Sequence, residues 1–264
     1  MHIEKDGQRI MTLGEWKQHA PPKGGDRQWK AGRSAYELAS AWCGKGAPAM
    51  PRALKDMLDS RLETSRMAVD GVFPECQIPF DSRAGEPRNA DLAFVGRRGE
   101  AKVAVTIEAK ADEPYGATIA KTACDAFERR IVNPRSQGVE RIVDLITSLL
   151  PPWEKGCPHV EGLYYQLLTA TAGSIAYARI HGAAIAVMII HEFRTEKTDD
   201  ALHGRNEEAY SAFLHRIRGS APSQDELGSL LGPFLVPGTP LFDSPPALYI
   251  GKIVTDLRGK RAPE

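Results

Sequence analysis

The sequence lacks most of the patterns that would commit it to a special environment. Its four cysteines, Cys43, Cys76, Cys124 and Cys157, are far apart, with no CxxC pair and no zinc-ligand spacing. Neither a disulfide framework nor a thiolate metal site is expected, and reduced thiols in a cytoplasm are the default. The seven histidines form no HExxH or similar spacing, which removes the zinc-hydrolase pattern. The glycines match neither a Walker A loop nor a dinucleotide-binding fingerprint, and no serine or cysteine sits in a nucleophile-elbow context. The N-terminal MHIEKDGQRIMTLGEW has no apolar centre of the signal-peptide kind. The most apolar run, 183–190, falls far short of the roughly 20 residues that cross a bilayer. A cytoplasmic location with no membrane partner is therefore expected. Net charge is missing too, since 34 Lys and Arg balance 34 Asp and Glu. A general polyanion binder is disfavoured, although a local basic patch is enough to hold a few phosphates.

What is present reads as an ordinary globular chain: 264 residues, 42% hydrophobic and 26% charged. A single domain over 1–264 is expected. It divides into a helical N-terminal elaboration over 1–70, a core of hairpin, helices and buried strand over 71–195, and a helix, loop and strand over 196–264. Thr12 can cap a helix over 13–20. Ser34-Ala-Tyr-Glu37 has the form of a capping box that opens a second. Leu54, Met57, Leu58, Arg61 and Leu62 repeat at helical spacing behind Pro51. After Gly71 the period changes to two. Extended segments are expected over 72–80, 90–95 and 102–110, the last two joined by a turn at Gly96-Arg97-Arg98-Gly99. Helices follow over 139–150, 162–181 and 206–217, with a buried strand over 183–190. The stretch 220–246 reads as a loop with a short helix near Leu227, and 247–254 as a late strand at the sheet edge. The fold class is α/β, a mixed central β-sheet flanked by helices.

The hairpin carries the chemistry. Side chains alternate along a strand, so Val103, Val105 and Ile107 face the core while Glu108 and Lys110 share the other face with Ala104 and Thr106. Asp91 begins the preceding strand, and the hairpin folds it back beside Glu108. Two carboxylates with a backbone carbonyl suit Mg²⁺ or Mn²⁺. Such an ion activates water and polarises a phosphoryl oxygen, and a lysine beside it can orient that water or stabilise transition-state charge. Arg83, Arg88, Arg97, Arg98 and Lys102 lie around the hairpin and offer grips for phosphate, against the bland reading of a solvated tip.

Asp91, sixteen intervening residues and then Glu108-Ala109-Lys110 resemble the PD-(D/E)XK motif of restriction-endonuclease-like nucleases. The runs EAKADEPYG, YYQLL and ALYIG are similar to a bacterial family assigned to that superfamily, over most of the chain. The resemblance implies a restriction-endonuclease-like core with a helical N-terminal segment. It implies Asp91, Glu108 and the Ala109 carbonyl as metal ligands, Lys110 as a catalytic group, and Gln166 as the glutamine on the helix after the motif. The motif's proline is replaced by Ala90. An upstream glutamate is implied as well; Glu63 is the first choice, with Glu37 and Glu75 as alternatives. The activity implied is Mg²⁺- or Mn²⁺-dependent phosphodiester hydrolysis with nucleic acid, DNA first, as partner. Cutting both strands with one site per chain would call for a homodimer. The competing class is a nuclease-fold module that binds a protein or nucleic acid without cleaving it.

Overall fold

A computed structural model describes residues 1–44, 46–83 and 85–259. Its strands are β1 (His2–Lys5), β2 (Gln8–Ile10), β3 (Ala68–Ile78), β4 (Arg88–Arg98), β5 (Ala101–Lys110), β6 (Ile185–Arg194), β7 (Leu231–Phe234) and β8 (Ala247–Asp256). They form one sheet in the order β2-β1-β3-β4-β5-β6-β8-β7. The run β3-β4-β5 is an antiparallel meander, whereas β5, β6 and β8 are parallel, so the sheet is mixed. The helices among the described residues are α1 (Leu13–His19), α2 (Ser34–Cys43), α3 (Arg52–Asp59), α4 (Ile119–Val132), α5 (Gly138–Leu149), α6 (Tyr165–Ile180), α7 (Asp200–Arg218) and α8 (Gln224–Leu227). None is long and apolar enough to cross a membrane.

The alternation along β5 explains why helices cover both faces. Val103, Val105 and Ile107 enter a core with Trp16, Trp42 and Leu54 from α1, α2 and α3. Ala104 enters the other core, built with α4 to α7 through residues such as Ala126, Leu145, Ile175 and Phe213. A central strand buried on both sides needs no polar face, and all of 103–111 is buried. Helix α6 is small-residue-rich and buried along nearly its whole length. The Thr106 hydroxyl meets that of Ser174, a polar tether between sheet and helix.

Several expectations are corrected. The first 70 residues are not only helical, because β1 and β2 form a hairpin that joins β3 and extends the sheet. Helix α3 stops at Asp59, and Leu62 lies exposed in a short 3₁₀ turn. Ser34 does not cap α2. Arg33 is the cap residue, and the Glu37 carboxylate accepts from the Gly32 N–H at 2.6 Å. The β4–β5 turn is Gly99-Glu100, with Arg98 opposite Ala101. Strand β8 lies inside the sheet, because the unforeseen β7 covers its outer side.

At the α1 start the expectation holds. Thr12 Oγ1 accepts from the Glu15 N–H at 3.2 Å, while Glu15 Oε2 accepts from the Thr12 N–H at 3.1 Å. Thr12→Ala leaves one helix-terminal N–H without its protein partner. It is expected to cost about 0.5–2 kcal/mol, read as a lower urea midpoint with unchanged slope.

Candidate active site

The hydrogen-bonded pairing of β4 with β5 ends at Leu92 opposite Ile107. One step further along both strands stand Asp91 and Glu108. There the backbones part, and Asp91 Oδ2 takes the Ala109 N–H at 2.6 Å. A buried N–H demands a partner, so this carboxylate replaces the missing carbonyl and is fixed in place by doing so.

On the other side of β4, Pro74 pairs with Leu92 and Cys76 with Ala90. Glu75, between them, therefore stands across from Asp91. Its φ of 50° lies in the left-handed region, which costs a residue with a Cβ roughly 1–2 kcal/mol. Its carbonyl accepts from Lys5 Nζ at 2.8 Å, and its carboxylate accepts from Asn89 Nδ2. Three carboxylates, Glu75, Asp91 and Glu108, thus form a row across three neighbouring strands.

Glu108 is buried and crowded by donors. Oε1 accepts from Lys110 Nζ at 2.9 Å and from Gln166 Nε2, and Oε2 faces the Arg88 guanidinium. Gln166 sits in the first turn of α6. Burial lowers the proton affinity of Lys110, opposed by the charges of Glu113 and Asp91. Its Nζ also lies 5.7 Å from the centre of the Tyr115 ring. Burial raises the Glu113 carboxyl, with Lys110 pulling it back down. Glu75, Asp91, Glu108, Lys110 and Gln166 all line one cleft of about 640 Å³. The start of α2, at Arg33 and Ser34, and the start of α6 open onto it.

Glu63 is not part of this group. It lies exposed in the 3₁₀ turn Leu62–Thr64, near Tyr249, and does not line the cleft. Glu37 is likewise outside it. Of the three glutamates considered upstream, the structure brings only Glu75 to Asp91. Of the basic residues around the hairpin, Arg88 alone enters the cleft. Arg97, Arg98 and Lys102 lie at the opposite end of the strands, and Arg83 is bound to Asp144. His191 points into the other face of the sheet from Glu192. Burial pushes it down to about 3, which leaves the ring neutral beside Thr255.

Burial, and then the neighbouring Asp91 charge, raise Glu75 from its ordinary 4.5 to about 7. Between those two values the folded chain binds more protons at Glu75 than the unfolded chain does. Stability from this group is full below pH 4.5 and is lost as pH rises through about 7. Glu75→Gln is expected to remove that loss, so the urea midpoint should drop less between pH 5 and pH 8 in the variant than in the wild type.

Carboxylate oxygens are the hard donors that Mg²⁺ and Mn²⁺ favour, and two of them here repel each other in a buried place. The donor set fits such a cation in kind. Among the described residues, no three His, Cys, Asp or Glu side chains converge on a single point where an ion would sit. Glu108 is turned onto Arg88, Lys110 and Gln166.

A family model matches residues 9–253. The chain belongs to that family, described as Domain of unknown function (DUF6946). The match takes in β3 to β6, all of the cleft's charged row and α6, so the candidate residues belong to the family's domain rather than to an appendage. No curated protein and no solved structure matches the chain.

Proposed function

We propose that the cleft is the active site of a Mg²⁺- or Mn²⁺-dependent phosphodiester hydrolase acting on DNA, on a restriction-endonuclease-like core. The observation that carries the reading is the meeting of Asp91, Glu108, Lys110 and Gln166 in one cleft, with Asp91 pinned to the Ala109 N–H. Asp91, Glu108 and the Ala109 carbonyl would hold the ion, with Glu75 in the place Glu63 was expected to fill. A bound divalent ion supplies positive charge at a phosphoryl oxygen and lowers the pKa of water.

The chain's own groups do the rest. Lys110 is held by Glu108 at the edge of the carboxylate row, where its ammonium orients water or steadies charge as the phosphorus–oxygen bond breaks. Gln166 holds the Glu108 carboxylate against α6. Phosphate is drawn in by Lys23, Arg33, Arg88 and Lys110, which line the cleft of a chain with no net charge. Two helix N-termini open onto the same space and favour an anion there.

A second reading, a binding module without catalysis, draws on the satisfied state of Glu108. Both of its oxygens already have partners in the protein. The two readings part on metal. The test is a calorimetric Mn²⁺ titration of wild type and Glu108→Gln, followed by incubation of each with duplex and single-stranded DNA. Binding near one ion per chain and metal-dependent cleavage, both lost in the variant, support the hydrolase. DNA binding without metal uptake or cleavage would leave the binding module.

A further inference from the structure

Arg88 is the first residue of β4, opposite Ile78, and its side chain runs inward rather than out to solvent. Only 14% of that side chain is exposed. Its stem lies against α6 at Gly173, where an added Cβ would sit 2.9 Å from Arg88 Cγ and 3.4 Å from Arg88 Cβ. A glycine in a helix interior is unfavourable by roughly 1 kcal/mol relative to alanine, and here its absent side chain is the space the arginine occupies. At the far end Nη2 meets Glu108 Oε2. Nε is buried with no hydrogen-bond partner. The void between Arg88, Glu108, Thr106 and Gly173 is about 10 Å³, room for one water at most.

The guanidinium therefore sits where a cation is needed. Asp91, Glu108 and, when ionised, Glu75 bring negative charge, and Arg88 and Lys110 return positive charge beside them. Asp91 and Glu75 both favour the charged guanidinium against its burial. A divalent ion bound by the carboxylates would need the Glu108 oxygen that Arg88 now covers. A guanidinium is also the side chain best shaped to clasp phosphate, through paired N–H donors, and its buried Nε–H has no acceptor in its present place.

We infer that Arg88 is a substrate-phosphate ligand that competes with a divalent ion for Glu108: the two cannot hold the same carboxylate oxygen, and an ion that takes it turns Arg88 to the DNA phosphate. The inference rests on the hydrolase reading above. It goes beyond that reading by making metal and phosphate binding cooperative, because the ion frees the group that the phosphate needs.

The test is Mn²⁺ binding by calorimetry, without DNA, to wild type, Arg88→Met and Gly173→Ala. The second variant keeps the arginine and its charge but puts a methyl group against its stem, so it displaces the guanidinium by a separate route. Both are expected to bind Mn²⁺ about tenfold more tightly than wild type. Uptake by the variants alone, with none by wild type, also supports the inference. Equal or weaker binding in both variants, with uptake by wild type intact, overturns the role of Arg88 and leaves the metal site standing. No uptake by any of the three overturns both. For the phosphate half, binding of a duplex oligonucleotide to Arg88→Met in saturating Mn²⁺ is expected to lose about one unit of salt slope. An unchanged slope overturns that half.

Discussion

On the proposed hydrolase reading, Glu108→Gln is expected to slow Mn²⁺-dependent cleavage of duplex DNA by about 10³-fold, the upper range for loss of one electrostatic group in an active site. The exchange keeps the size and one acceptor oxygen but removes the charge that would hold the ion. Glu108 is also the acceptor for Arg88, Lys110 and Gln166, so the variant leaves two buried cations less well compensated. Some loss of stability is expected alongside. Asp91→Asn separates the two effects, since its amide oxygen can still accept from the Ala109 N–H while its charge is gone. Both variants should unfold cooperatively in urea, and both should cleave about 10³-fold more slowly than wild type under single-turnover conditions. Cleavage by Glu108→Gln within tenfold of wild type would rule out Glu108 as a ligand.

The hairpin was legible in the sequence because period-two alternation is a strong signal, and it brought Asp91, Glu108 and Lys110 together in advance. The turn was misplaced for a physical reason. Gly96 is a strand residue whose missing side chain admits Met67, with Sδ 2.7 Å from where a Cβ would be. The turn glycine is Gly99, at φ 59°. At the N-terminus the Asp6-Gly7 pair has positive φ at both positions, 50° and 77°, as a two-residue hairpin requires. That signal was in the sequence, but the strands beside it are only four and three residues long. Helix α4 gave little periodicity to read: Ile119 and Ala126 are buried, while Phe127, Ile131 and Val132 are exposed. Glu75 could not be chosen over Glu63 from spacing alone. Glu63 follows a helical pattern that ends earlier than its apolar residues suggest. Glu75 reaches the site through the register of β3 on β4, which is a long-range property.

The second large effect concerns a buried charge pair on the same face of the sheet. Glu192 on β6 is fully buried and Lys252 on β8 is 3% exposed. The register places Ile190 opposite Lys252 and Glu192 opposite Val254, so both side chains leave the sheet toward α7. Nζ and Oε2 stand 2.7 Å apart, although not in line for a hydrogen bond. The contact is thus an ion pair held by packing. Glu192 Oε1 meets His203 Nδ1 from α7, and Lys252 Nζ lies 5.9 Å from the centre of the Tyr210 ring. Removing one charge strands the other in a place water does not reach. Glu192→Leu and Lys252→Met are each expected to destabilise the fold by about 3–5 kcal/mol, because each leaves one buried charge uncompensated. Replacing both by apolar residues of similar length, Glu192→Leu with Lys252→Met, removes the desolvation cost of both charges together. The double variant is expected to lose far less than the sum of the single losses, and the coupling is read from urea denaturation of all four proteins. Additive losses would mean that the two charges are each held by other partners. Glu192 also stands beside Lys110 across the β5–β6 register. The pair therefore lies one strand over from Lys110, on the same face of the sheet.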